Sequence, residues 1–268
     1  MSCFSRNGMR SGLVLAVILV SYLFLALPGA YAHNFWVNAS DPENGLFRAN
    51  IGYSHDFPNA EPIAADRIHI FEPLQLVTPD GAIELEQVGE NYAYRKKINL
   101  KKGSYMVIGF YRPTFWANGP EGWSQQDRIQ RPDAAYVEEA IMGTKTIVNV
   151  QGATDDSLIS RPVGQRLEIV PLTNPAKVKV GGKFPMQVLL DGKPAKAIEV
   201  EATFAGFSDK DYKAFQGKTN IKGLIDVIPL KKGYWVVQAK HTYEHPDKSR
   251  ADEVSLVSTL TFKIDGEK

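Results

Sequence analysis

The sequence predicts an all-β protein made of two Ig-like or prealbumin-like β-sandwich domains with one short helix, behind a separate N-terminal segment. Two observations carry this reading. From residue 33 onward, short runs rich in Val, Ile, Tyr, Phe and Thr recur at roughly the 8–12-residue spacing of a sandwich, separated by Gly, Pro, Asn and Asp. A polar stretch at 152–161 then divides these runs into two sets. The expected domains are therefore 33–162 and 163–268. At 44% hydrophobic and 10% aromatic, the chain is too apolar to be disordered and can build a core in each half.

Residues 1–32 read as an export signal. Arg6 and Arg10 precede an apolar run at 13–27, Pro28-Gly29 breaks it, and Ala30-Tyr31-Ala32 places small residues at −3 and −1. The run is shorter than the roughly 20 residues that span a bilayer, so the expectation is cleavage after Ala32 with no stable membrane insertion afterwards. Cleavage after Ala30 would instead leave histidine third, but it puts Pro28 at −3.

In the first half the expected strands are 47–53, 67–71, 75–77, 82–88, 92–99, 103–111 and 145–150. The one helix expected is 134–142, Ala-Ala-Tyr-Val-Glu-Glu-Ala-Ile-Met, entered by Pro132-Asp133 and stopped by Gly143. Residues 110–123 read as an aromatic, Gly/Pro-rich loop. In the second half the strands are 166–172, 177–180, 184–190, 197–203, 224–229, 233–243 and 254–264, with Asp191-Gly192 as a hairpin turn. A small Greek-key sandwich accounts for this half.

Charge and cysteine content exclude several roles. The whole chain carries 31 Lys+Arg against 30 Asp+Glu, and because residues 1–32 hold two arginines and no acid, the remainder carries one net negative charge. A near-neutral chain has no electrostatic reason to bind nucleic acid or an anionic membrane. The only cysteine, Cys3, lies within the signal, so the exported chain has no disulfide, thiolate ligand or cysteine nucleophile. No Gly-x-Ser-x-Gly, His-Glu-x-x-His or phosphate-cradling glycine loop occurs, and no carboxylate pair stands out as acid and base. The expectation is a protein that is not an enzyme.

Several phrases resemble the DUF4198 family of exported bacterial proteins, often described as NikM-like. They are His33-Asn-Phe-Trp36, Gly52-Tyr-Ser-His-Asp-Phe-Pro58, the stretch from Pro162 through Leu167-Glu-Ile-Val-Pro-Leu172 to Pro175, the Asp191-Gly-Lys-Pro194 turn, the Thr219 to Gly223 turn and the ending Thr259-Leu-Thr-Phe-Lys-Ile264. The resemblance implies a periplasmic location, sandwich folds and a part in nickel or cobalt uptake, with an inner-membrane metal transporter as partner. It supplies no ligands.

The residues themselves offer candidates. Cleavage after Ala32 would make His33 the first residue, so that its free α-amine and ring Nδ1 can chelate one ion. An α-amine with a pKa of about 7.7–8.0 loses its proton readily to such an ion. Nitrogen ligands of this kind suit Ni, Cu and Zn. His55-Asp56 follows a strand at the start of a Pro-rich loop, where imidazole and carboxylate can reach outward together. His241-Thr-Tyr-Glu-His245 is the densest cluster. In a continuous strand its two histidines are about 13 Å apart, so sharing an ion requires a turn near Tyr243. His69 alternates with apolar neighbours and reads as a solvated strand histidine.

The expectation is thus an exported, periplasmic or secreted metal-binding protein holding Ni or Co, with Cu or Zn as alternatives, through His33, His55 and Asp56, and with His241 and His245 as further candidates. Two rivals belong to other classes. One is a carbohydrate- or protein-binding module using Phe115, Trp116 and Trp123. The other is a copper oxygenase with a histidine brace, which needs a second histidine across the metal from His33.

Overall fold

The computed structural model describes residues 33–89, 92–208 and 213–266; the expected signal at 1–32 lies outside them. The chain is all-β, as its alternating runs predict, and three sheets share the strands. The first has the order β1-β2-β6-β5, from β1 (Asn34–Glu43), β2 (Leu46–Ser54), β5 (Glu86–Gln87) and β6 (Ala93–Lys97). The central sheet has nine strands. On one side lie β14 (Phe215–Lys218), β13 (Glu199–Phe204), β16 (Gly233–Glu244) and β17 (Glu253–Ile264). On the other lie β9 (Tyr136–Val150), β7 (Gly103–Gly119), β3 (Gln75–Thr78) and β4 (Gly81–Glu84), with β8 (Gly122–Ser124) paired to β7. The third sheet joins β10 (Leu167–Pro171), β11 (Phe184–Leu190) and β12 (Lys193–Pro194), with β15 (Leu224–Val227) paired to β11.

The central sheet is common to two sandwiches. Along β17, Val254, Leu256, Leu260 and Phe262 face the third sheet, where Phe262 meets Phe184 edge-on at 4.7 Å. The alternate residues face the first sheet: Thr259 Oγ1 donates to the Phe35 carbonyl at 2.6 Å, and Thr261 Oγ1 donates to that of Val37. A strand buried on both faces loses the polar alternation of a half-buried one. The two halves of the chain meet where β17 pairs in parallel with β9, Glu253 opposite Glu138 through Thr261 opposite Thr146. The segment joining β9 to β10 contains the expected boundary at 162/163, and the central sheet draws strands from both sides of it.

Four local expectations are corrected. Residues 134–142 are not helical: Tyr136 opens β9, which is hydrogen-bonded on one side to β7 and on the other to β17. The helix-forming alanines and glutamates are overruled by ladders on both sides, since propensity is weak beside tertiary pairing. Residues 67–71 form a single 3-10 turn, Ile68–Ile70, and leave His69 exposed. Residues 110–123 are mostly strand, β7 turning back into β8, rather than loop. At 177–180 only a bridge between Lys179 and Gly266 forms, after the 3-10 turn Pro175–Lys177 that Asn174 caps. The hairpin at Asp191-Gly192 is as expected, with φ of +48° and +75° as a type I′ turn requires.

Two features pin the layers. Lys145 and Glu168, 0% and 1% exposed, form an ion pair at 2.5 Å between β9 and β10. The same carboxylate accepts the backbone N–H groups of Val163, Gly164 and Gln165, and Lys145 Nζ also donates to the Ile169 carbonyl. In the other sandwich the Trp36 ring lies flat across Gly52, its cross-strand partner. A Cβ at Gly52 would stand 1.9 Å from Trp36 Cε2. Gly52→Ala is therefore expected to destabilise the fold by about 1–3 kcal/mol, the usual range for overpacking. A urea midpoint equal to that of the unsubstituted protein would contradict this contact.

Candidate metal centre

β1 begins at Asn34 and β2 ends at Ser54, with Asn34 opposite Ser54 in register. This pairing sets His33 beside the residues that follow β2. The His33 and His55 ring centroids are 4.3 Å apart at 34°. On the strand side, His33 stacks on Tyr53 at 4.7 Å and 19°. Tyr53 and His55 are two apart and share a face as the strand ends. The loop then returns: Ser54 Oγ donates to the Asn59 carbonyl at 2.6 Å, and Glu61 N–H donates to the Tyr53 carbonyl at 3.3 Å. That return brings Glu61 Oε2 to 3.4 Å from His33 Nε2.

Each candidate ligand has a definite place. His33 is half-buried and His55 exposed. Asp56 closes the loop, accepting the Asn59 side-chain amide at 2.8 Å and forming a bridge with that residue. His241 sits mid-strand opposite Leu256 with its ring 5.8 Å from Tyr243. β16 runs straight on to Glu244, so the turn that would bring His241 and His245 together is not made. His245 is buried at the strand end. It accepts the Asp247 N–H at Nδ1 at 3.0 Å, which leaves Nε2 to donate to Glu139 at 3.3 Å. The structure thus joins His33 to His55 and gives Asp56 and His245 other partners. Tyr53 and Glu61 escaped selection from sequence. Tyr53 was findable from its period-two spacing to His55; Glu61 depends on a loop closure that no local pattern announces.

Among the described residues, no three His, Cys, Asp or Glu side chains are arranged around one ion. What the donor set offers is two imidazoles, and an α-amine if His33 begins the chain. With Nε2 turned to Glu61, His33 Nδ1 is the nitrogen left on the side of its own backbone. A carboxylate on the far nitrogen is the common way of orienting a metal-binding histidine. The residues fit an ion that favours nitrogen.

Burial, and after it the charge of His55, lower the His33 pKa below its ordinary 6.5, while Glu61 acts to raise it. In the metal-free protein, His55→Ala is expected to raise the His33 value and Glu61→Gln to lower it further, read from the ring proton shifts against pH. Because the folded value is depressed, stability from this group is complete above pH 6.5 and lost as pH falls through the folded value. Equal titration in all three proteins would show that the rings and the carboxylate do not interact.

Behind the histidines lies a second layer. Tyr53 and Tyr111 rings stack at 6.2 Å, and Trp116 Nε1 donates to the Tyr111 hydroxyl at 2.7 Å beneath the Arg67 guanidinium. Burial pushes both tyrosines and the buried Glu138 up. Of the three aromatics in the rival binding surface, Trp116 is thus engaged and Phe115 lies under Arg250 at 4.2 Å, while Trp123 is 44% exposed.

Fold and site together define an all-β sandwich protein with a histidine pair at the start of its first strand. The chain belongs to DUF4198, a domain of unknown function, whose family model matches residues 30–243. No curated protein matches it. Among solved structures, it is similar to native alpha-2-macroglobulin from Escherichia coli spanning domains MG0-NIE-MG1, at 9% identity and a TM-score of 0.23, over 85% of this chain and 72% of that one.

Proposed function

We propose that this is an exported, non-enzymatic protein of the periplasm that binds a divalent metal, an accessory component of nickel or cobalt uptake. Removal of residues 1–32 completes its site. The observation that carries the reading is His33: its ring is held between His55, Tyr53 and Glu61, with Nε2 on the carboxylate. Freed by cleavage, the α-amine and Nδ1 of one residue close a six-membered chelate, and His55 supplies a second imidazole. Three nitrogens suit Ni(II), Cu(II) and Zn(II); the NikM-like resemblance favours nickel or cobalt, delivered to an inner-membrane transporter. Among the described residues no helix is long and apolar enough to cross a membrane.

The test is intact mass and metal content of the protein purified from the periplasm. A mass beginning at His33 with about one equivalent of nickel or cobalt supports the reading, and one equivalent of copper or zinc redirects it to that ion. A His33 start that takes up none of the four ions on incubation sinks it.

A further inference from the structure

A groove of about 700 Å³ runs over the first sheet, and none of the candidate metal ligands lines it. Strand register fixes what faces it. Ser40 of β1 stands opposite Arg48 of β2, and Arg48 opposite Arg95 of β6, so three side chains form one row across three strands. Two residues along, Asn38, Asn50 and Ala93 form the next row of the same face. The alternate residues Val37, Phe47 and Ile51 are buried on the other face. Tyr234, 47% exposed, also lines the groove.

The arginine pair is the unusual feature, because like charges directly opposite each other weaken a sheet. Arg48 reaches Glu43 only at 4.0 Å and Arg95 reaches Glu86 only at 3.8 Å, both beyond hydrogen-bonding distance, and both glutamates are well exposed. Neither glutamate lines the groove, whose charged residues among those described are the two arginines. Asp41 and Asp265 line an adjoining cavity, where Asp265 is paired with Lys263 at 2.8 Å. A cleft of one charge sign concentrates anions, and guanidinium forks match the oxygens of a carboxylate or phosphate. A bare anion would fill little of this volume, which is that of a small-molecule site. The remaining polar floor is Asn38, Ser40 and Asn50, groups that both donate and accept, as sugar hydroxyls do. The Tyr234 ring offers apolar surface to the C–H face of a sugar. A peptide adding as a strand would need free backbone groups, and β2 spends its own on β1 and β6.

We propose that this groove binds an acidic saccharide, with its carboxylate or phosphate on Arg48 and Arg95 and its hydroxyls on Asn38, Ser40 and Asn50. The site is independent of the metal centre.

The test titrates the ¹⁵N-labelled mature protein, kept in EDTA, with trigalacturonate and with maltotriose phosphate, which tells the two anions apart. At least one of them is expected to move the amide signals of residues 38–40, 48–50, 93–95 and 234 to saturation. Methyl-esterified trigalacturonate and maltotriose, the neutral counterparts, are expected to bind about tenfold more weakly or less, as loss of hydrogen bonds to a charged group predicts. Arg48→Met and Arg95→Met should each weaken the acidic saccharide by a similar factor while the melting temperature holds or rises, since each relieves the like-charge pair. His33→Ala should bind as the unsubstituted protein does. Silence toward both acidic saccharides overturns the proposal, and so does equal binding of the neutral counterparts, of inorganic phosphate or of triglutamate. Full binding in both arginine variants, or its loss in His33→Ala, overturns it equally. A melting temperature that falls in the arginine variants would mean that the pair serves the sheet and not a ligand.

Discussion

Glu168→Leu is expected to cost at least about 3–5 kcal/mol, the range for removing one partner of a buried ion pair. For a chain of this size that is a fall of about 6–20 °C in melting temperature, at about 2–4 °C per kcal/mol. The substitution leaves Lys145 buried without its counter-ion and strips the acceptor from three backbone N–H groups at 163–165. Burial already presses the Lys145 pKa below its ordinary value, with Glu168 opposing the shift. Lys145→Met is expected to cost less, because the carboxylate keeps its backbone donors. Thermal melts of the two variants decide the matter. Equal losses would mean that the backbone bonds add nothing, and a Glu168→Leu protein that melts normally would remove this pair as the clamp between the central and third sheets.

The second large effect belongs to His33. Nickel at one hundred times its dissociation constant is expected to stabilise the mature protein by about 2.7 kcal/mol, or about 5–11 °C. His33→Ala is expected to abolish that shift and His55→Ala to reduce it. Glu61→Gln should weaken binding ten- to a hundredfold, as loss of a carboxylate behind a metal-binding histidine generally does. Asp56→Asn and His241→Ala should leave the shift intact, since Asp56 closes its own loop and His241 lies in the β16 ladder. A full shift in His33→Ala would end the chelate reading, whatever the other variants do.

Much of the fold was legible because sheet formation leaves a local record. The period-two runs located many of the strands of both halves, though not β1 or β14, and Asp191-Gly192 marked a turn whose positive φ values few other residues adopt. The failures share one cause. Residues 134–142 have helix-forming composition, yet from Tyr136 they lie in the central sheet, paired with β7 on one side and from Glu138 with β17 on the other. The aromatic stretch 110–123 reads as loop from its Gly and Pro content, but β9 templates it into a strand. Both stretches take their form from strands elsewhere in the sheet, one of them, β17, more than a hundred residues away from β9 in sequence, and a local pattern holds no trace of that pairing.

The candidate site divides along the same line. By itself the sequence determined the chemistry available: no cysteine beyond residue 32, five histidines, and a histidine two residues after Tyr53 at a strand end. Those are properties of composition and spacing, which folding does not alter. Only the tertiary structure decided which histidines meet. The β1–β2 register sets His33 against His55, the return of the loop adds Glu61, and the unbroken course of β16 keeps His241 from joining His245. Register is a relation between strands, fixed by the burial of Phe35 and Val37 beneath the central sheet, and so it exists only once the layers have packed.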